Sequence, residues 1–346
     1  LIQVFTMQII AFFATKSWEE EYLKDKLKIV ASDLTQIFIP EILSKEHLPS
    51  SRDFALCSVF VDSLIDRTVI DALPNLKFIV TRSTGYDHID LAAAGERGIV
   101  ISSVPSYGEN TVAEYAFALL LTLSRKIYDG AHRVREETRF SFDGLQGFDL
   151  KGKTIGVLGT GRIGRHAIRM AKGFDMRVVA YDPFPNESFA KEFDFTYLSF
   201  EEVLKNSDII TIHVPYSKET HHLINEKTIA LMKPGAYLIN TSRGGVVDTP
   251  ALAVALKQGR LGGAGLDVLE EEGVIKDELD FIVHGHPEEH SLKTVLADHV
   301  LMDLSNVIVT PHNAFNTKEA LTRILDTTVE DIVGYIKGKP VNVVPR

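Results

Sequence analysis

At 346 residues the chain is long enough for two domains, each with its own core. A net charge of −10 argues against a nucleic-acid surface, which needs clustered Lys and Arg. The longest internal apolar run, Tyr115–Leu121, falls far below the roughly 20 residues of a membrane span, and the lone Cys57 excludes an internal disulfide, pointing to a reducing compartment such as the cytoplasm. The amino end is apolar, yet its first basic residue is Lys16, with Glu19–Glu21 close behind, so it lacks the positive region of a signal peptide. Leu1–Thr6 precede Met7 and read as an upstream extension or an artefact.

From residue 7 to about 103, short apolar runs alternate with amphipathic ones. The pattern predicts strands at Gln8–Ala14, Gln36–Ile39, Phe54–Val59, Phe78–Thr81 and Val100–Ile101, and helices near Trp18–Ile29, Ser63–Ala72 and Ile89–Arg97. Such β-α alternation gives a parallel sheet with helices on both faces. In Glu109–Lys126, residues Val112, Tyr115, Ala116, Leu119, Leu120 and Leu123 recur at helical spacing, and this helix is read as leading into a second domain.

The most informative segment follows. Thr154–Leu158 reads as a short buried strand, Gly159-x-Gly161-x-x-Gly164 comes at once, and a helical run opens behind it. Gly159 allows the tight turn, Gly161 lets the backbone approach a pyrophosphate, and Gly164 lets helix and strand pack closely. Phosphates then lie on free N–H groups at the positive end of a helix. A second strand, Arg177–Tyr181, ends at Asp182, whose carboxylate can accept both ribose hydroxyls. Pro183–Ala190 holds no basic residue, and an anionic Asp182 repels a 2′-phosphate, so NAD is favoured over NADP. Further strands at Ile209–Val214, Ala236–Thr241, Gly263–Val268 and Val307–Thr310 complete a Rossmann unit, inserted within a smaller α/β domain to which the last helix, Lys318–Lys337, returns. The expected domains are 1–103 with 316–346, and 104–315.

Arg243, Asp267 with Glu272, and His312 follow three successive strands of that second series. In open α/β sheets ligands bind outside those strand ends, so these side chains should share one crevice. Read singly, Arg243 is a surface charge, His312 a loop histidine and Glu270–Glu272 a solvated acidic run. Behind a nicotinamide site they form a working set. A guanidinium grips a carboxylate bidentately, a histidine delivers a proton near neutral pH, and a carboxylate beside it keeps the imidazolium charged and oriented.

The motifs GTGRIG, NTSRGGVVD, GAGLDVLEEE and TPHNAF resemble those of the D-specific 2-hydroxyacid dehydrogenases, as do TRSTGYDHID, VPSYGENTVAEYA, HVP and the closing KPVNVV. The resemblance spans essentially the whole chain. It implies α/β architecture in two doubly wound parallel-sheet domains, a Rossmann NAD domain inserted in a flavodoxin-like substrate domain, and a homodimer built largely through the former. It implies that Arg243 binds substrate, that His312 is the acid/base and that Glu272 pairs with it. Cofactor contacts are implied at Gly159, Thr160, Gly161, Arg162, Ile163, Gly164, Asp182, His213, Val214, Pro215, Thr241, Ser242 and Asp267, the last near the nicotinamide carboxamide. The backbone of Ser83, Thr84 and Gly85 matches the loop that holds the substrate carboxylate; Thr84 stands where valine is commoner, a tolerable change because main-chain N–H groups do the binding.

VPSY and PHNAF are similar to the D-lactate dehydrogenase branch, where residues matching Tyr107 and Phe315 bound the substrate side chain; the stretch GVIKDELDFIVHGH after Glu272 points the same way. Ordinary packing is the other reading of the two aromatics. The expected reaction is reduction of a small 2-oxo acid, pyruvate, to the D-2-hydroxy acid. Rivals are a hydroxypyruvate, glyoxylate or branched 2-oxo acid reductase and an NAD(H)-sensing, corepressor-like binding protein. With no further domain after Arg346, the long phosphoglycerate type is disfavoured. The expected partner is a small-molecule acid, with neither nucleic acid nor membrane.

Overall fold

The computed structural model describes residues 8–276 and 291–345; Leu1–Thr6 and most of the GVIKDELDFIVHGH stretch lie outside them. The chain divides into two compact units, Leu1–Tyr107 with Thr317–Arg346, and Gly108–Asn316. Among the described residues no helix is long and apolar enough to cross a membrane.

In the first unit β1 (Ile9–Phe13), β2 (Thr35–Ile39), β3 (Leu56–Val59), β4 (Phe78–Thr81) and β5 (Val100–Ser103) form a sheet in the order β2-β1-β3-β4-β5. Every pairing is parallel, and the order is the flavodoxin-like one. Continuous apolar strands are what a sheet covered on both faces requires. Ile10 and Phe12 point to one side, where Leu23 and Leu27 of α1 (Ser17–Val30) meet Leu325, Val329 and Ile332 of the last helix, Lys318–Ile336. Ala11 and Phe13 point to the other, against Val69 and Ile70 of α2 (Arg67–Ala72) and Ala93 and Ala94 of α3 (Leu91–Glu96). Both short helices start later than apolar periodicity suggests, because aspartates cap them. Asp66 accepts the Val69 N–H at 2.8 Å and Asp90 the Ala93 N–H at 2.9 Å.

The second unit holds β6 (Thr154–Leu158), β7 (Arg177–Tyr181), β8 (Thr196–Tyr197), β9 (Ile209–Ile212), β10 (Ala236–Asn240), β11 (Leu261–Leu266) and β12 (Val307–Val309), ordered β12-β11-β10-β9-β6-β7-β8. All pairs are parallel. The order reverses between β6 and β9, the switch point where a doubly wound sheet opens its crevice. Helix α4 (Glu109–Ser124) packs within this unit: Leu119 and Leu123 lie over Gly265, where an added Cβ would come within 2.9 Å of the Leu119 Cβ. Next come α5 (Ile127–Glu136), α6 (Arg162–Gly173), α7 (Glu187–Glu192), α8 (Phe200–Asn206), α9 (Glu226–Leu231), α10 (Thr249–Lys257), α11 (Glu272–Lys276) and α12 (Leu292–Asp303); the last helix, Lys318–Ile336, is α13.

Candidate active site

The glycine turn joins β6 to α6. Gly159 has φ +89°, and a Cβ there would lie 2.7 Å from the His213 carbonyl oxygen. A Cβ on Gly164 would lie 2.0 Å from the Gly159 carbonyl oxygen, so α6 sits directly on the turn. Around Gly161 the space is open: nothing lies within 4 Å of where its Cβ would be. Gly161 is the N-cap of α6 and supplies no capping side chain, with Arg162 and Ile163 in the first turn. First-turn N–H groups lack partners within their own helix, so the motif presents donors to open space.

Asp182 stands just past β7. Its Oδ2 accepts the Thr160 N–H at 2.7 Å and the Thr160 hydroxyl at 2.9 Å, and its Oδ1 accepts the Phe184 N–H at 2.8 Å. The sequence suggests a carboxylate able to accept both ribose hydroxyls; here three protein donors brace it against the glycine turn. Across the switch point the His213 N–H reaches the Leu158 carbonyl at 2.8 Å, and the His213 ring lies 3.0 Å from the Thr211 hydroxyl. Burial pushes the His213 imidazole down to about 4, so it is neutral at pH 7. The buried Val214 offers its carbonyl to the Ser242 hydroxyl, while Pro215 is exposed. Thr241, at the end of β10, has a buried hydroxyl with no partner among the described residues. An open glycine cradle, a braced acid and an orphan hydroxyl at strand ends of one sheet fit a dinucleotide.

Beyond β10, Asn240 accepts the Ser242 N–H at 3.0 Å and donates to the Arg243 carbonyl at 3.0 Å, fixing the loop that carries Arg243. Arg243 Nη1 donates to the Ser242 carbonyl at 3.0 Å. At Gly244 a Cβ would lie 2.0 Å from the Leu269 carbonyl oxygen, so this loop rests on the one after β11.

The buried Asp267 organises the segment holding His312. Its Oδ1 accepts the Thr310 hydroxyl at 2.6 Å and the Asn313 N–H at 2.8 Å; its Oδ2 accepts the Ala314 N–H at 2.7 Å, and its carbonyl takes the His312 N–H at 2.8 Å. Burial pushes this carboxyl above its ordinary value, against the pull of those bonds. His312 itself sits at φ +50°, a left-handed backbone that costs a non-glycine residue about 1–2 kcal/mol. Its Nδ1 lies 2.9 Å from Glu272 Oε2, and Glu272 Oε1 accepts the Leu269 N–H at 3.1 Å. A cavity of about 520 Å³ adjoins the pair, lined by Tyr128, Asp267, Glu272, Thr310 and His312 among others.

The acidic run is not a solvated face. Glu270 Oε1 lies 2.6 Å from His222 Nε2, Glu271 Oε1 accepts the Ser291 N–H at 3.1 Å, and Glu272 meets His312. The Glu271 N–H donates to Asp298 at 3.3 Å. Sequence reading passed over His222 and Asp298. The available signal for Asp298 was an acid on the same face as Thr294, Ala297 and Leu301, the inward stripe of α12.

Ser83, Thr84, Gly85 and Tyr107 belong to the first unit, and Phe315 to the second. The loop after β4 is held from below. The Ser83 hydroxyl donates to the Gly85 carbonyl at 2.6 Å and the Thr84 hydroxyl to the Val104 carbonyl at 2.8 Å. Arg82 reaches Ser58 Oγ at 3.0 Å and the Phe13 carbonyl at 2.7 Å. Burial lowers its pKa to about 10, which leaves it charged at pH 7. The Tyr107 carbonyl accepts Arg323 Nε at 2.6 Å.

The profile of the D-isomer specific 2-hydroxyacid dehydrogenase NAD-binding domain matches residues 117–314. The chain is 39% identical to a 2-hydroxyacid dehydrogenase homolog of Zymomonas mobilis over 335 residues, 95% of this chain and 97% of that one. It is 38% identical to a glyoxylate reductase of Thermococcus litoralis over 299 residues, 84% and 83% of the two chains. The D-lactate dehydrogenase from Aquifex aeolicus, solved with NAD and lactic acid, superposes with a TM-score of 0.83 at 36% identity, covering 97% of this chain and 100% of that one. With one family's profile over more than half its length and relatives along nearly all of it, the chain belongs to the NAD-dependent D-isomer specific 2-hydroxyacid dehydrogenases.

Proposed function

We propose that this enzyme reduces a small 2-oxo acid to the D-2-hydroxy acid, with pyruvate as substrate and D-lactate as product. The observation that carries the chemistry is the 2.9 Å contact between His312 Nδ1 and Glu272 Oε2 on a segment clamped by Asp267. Glu272 holds the proton on Nδ1, which leaves Nε2 to deliver one to the nascent alkoxide. Arg243 grips the substrate carboxylate as a planar fork and polarises the neighbouring carbonyl. The main chain of Ser83–Gly85 completes carboxylate binding, so the first unit serves as substrate domain and the second as cofactor domain. Bound NADH supplies the hydride to C2. Orientation and fixed charge carry most of the rate, because proton donor and carbonyl are both held before reaction.

The pyruvate assignment rests on Tyr107 and Phe315 as caps over the C3 methyl group. Its test follows NADH absorbance with a panel of 2-oxo acids. Pyruvate should outperform 2-oxobutyrate, and 2-oxobutyrate should outperform 2-oxoisocaproate, with glyoxylate usable but poorer. A clear lead for hydroxypyruvate, glyoxylate or a branched acid would overturn pyruvate and leave the family standing.

A homodimer through the cofactor unit accounts for the apolar surface around α5. No α5 side chain is buried, and Phe140 and Phe142 just beyond are 96% and 85% exposed. Light scattering at assay concentration checks it, and a monomer would refute it. A cytoplasmic setting agrees with the single, buried Cys57.

A further inference from the structure

Asp298 is the one described α12 side chain that is both acidic and fully out of water, at 0% exposure. Its Oδ2 accepts the Glu271 N–H at 3.3 Å; its Oδ1 is buried with no hydrogen-bond partner among the described residues. Titratable groups on the surrounding elements are Asp248 and Lys257 at the ends of α10, Lys293, His299 and Asp303 on α12, and Glu270, Glu271 and Glu272 after β11. Those that act on the carboxyl are the three glutamates. Glu271 is fastened to α12 a second time, through the N–H of the N-cap residue Ser291. The next residue, Glu272, faces His312.

We propose that Asp298 is a positioning residue for the acid/base pair: as an uncharged carboxyl it holds the Glu271 N–H and so aims Glu272 at His312, and on ionising it sets a fourth negative charge behind Glu272. This rests on the roles given above to His312 and Glu272. A fully buried carboxylate with one long hydrogen bond is costly, and the group escapes that cost by keeping its proton. Burial and then the three glutamates push Asp298 up to about 7, against the Glu271 N–H. As pH rises through neutrality its proton leaves. The added negative charge favours the imidazolium of His312 and extends reduction toward alkaline pH.

The test compares wild type, Asp298→Asn and Asp298→Ala by pH profiles of kcat/KM for the best 2-oxo acid, fluorescence titration with NADH, and infrared spectra of the carboxyl carbonyl band. Asp298→Asn keeps an acceptor for Glu271 and cannot ionise. It should match wild type within about twofold at pH 6 while its alkaline limb moves acidward. Asp298→Ala frees the loop and should lower kcat about 10–100-fold, the scale of a misplaced catalytic group, with NADH affinity unchanged. In a Glu272→Gln background Asp298→Ala should have little further effect, which a purely structural role would not produce. The wild-type-minus-Asp298→Asn difference spectrum should show a buried protonated-carboxyl band at pH 6 that fades above neutrality, the band of another buried carboxyl, Asp331, being common to both proteins and cancelling. Superimposable wild-type and Asn profiles, or no such band at pH 6, would overturn the proposal. Full activity in Glu272→Gln would instead overturn the acid/base assignment beneath it.

Discussion

Gly164 is packed so closely on Gly159 that a β-carbon added to it would stand 2.0 Å from the Gly159 carbonyl oxygen, whereas the same addition at Gly161 meets nothing within 4 Å. The two glycines of one motif therefore serve different ends. Gly164→Ala should lower the melting temperature and the yield of folded protein, because backbone must shift to admit the methyl group. Gly161→Ala should leave melting nearly unchanged and weaken NADH binding in a fluorescence titration. Equal melting losses in the two variants would contradict this division.

His312→Ala should cut turnover roughly 10²–10⁴-fold, the usual scale for a positioned acid or base. Glu272→Gln removes the anion 2.9 Å from Nδ1, so the pH profile of 2-oxo acid reduction should move toward acid. A profile that stays in place removes Glu272 from the role assigned to it.

Arg243→Lys keeps the charge and loses the planar fork. Binding and turnover of the 2-oxo acid should both fall, with NADH affinity nearly unaltered. Loss of NADH binding alone would reassign Arg243 to the cofactor or the fold.

The first unit carries its own pH-dependent group. Asp331 on α13 is fully buried; its Oδ1 accepts Asn342 Nδ2 at 2.8 Å and its Oδ2 has no partner among the described residues. Burial pushes it up to about 7. Between about pH 4 and 7 the native state keeps a proton that the unfolded chain has released, so this group's contribution to stability falls as pH rises through that window and is level above it. Asp331→Asn removes the dependence, and urea midpoints should shift in the variant's favour from pH 5 to pH 8. Parallel midpoint curves would rule it out.

What the sequence revealed and what it hid follow from the range of the interactions. Phe78–Thr81 is a strand as the pattern predicts, since four consecutive buried residues announce it locally. β8, two residues long, has no period to detect, and α5 buries nothing that would mark an inward face. At the site, the glycines, Asp182, Glu272 and His312 were legible from strand-end position. The Asp267 clamp on residues 310–314 and the Asp298–Glu271 contact were not, because each joins residues distant in sequence that only folding brings together. Glu270 and Glu271 misled for the same reason: within a run of three like charges they look solvated until their separate partners are in place.

Leu325, Val329 and Ile332 of α13 cover the same face of the first sheet as Ile10, Phe12 and Phe78. On a ribosome the sheet therefore emerges first and waits, this face covered only by α1, while the whole of Gly108–Asn316 is made. The unit whose strands are synthesised earliest closes last, and the intervening unit can fold before it. Truncation before α13 should thus spare the second unit and leave the first with an open, aggregation-prone face, so the last helix acts as the latch on the oldest part of the chain.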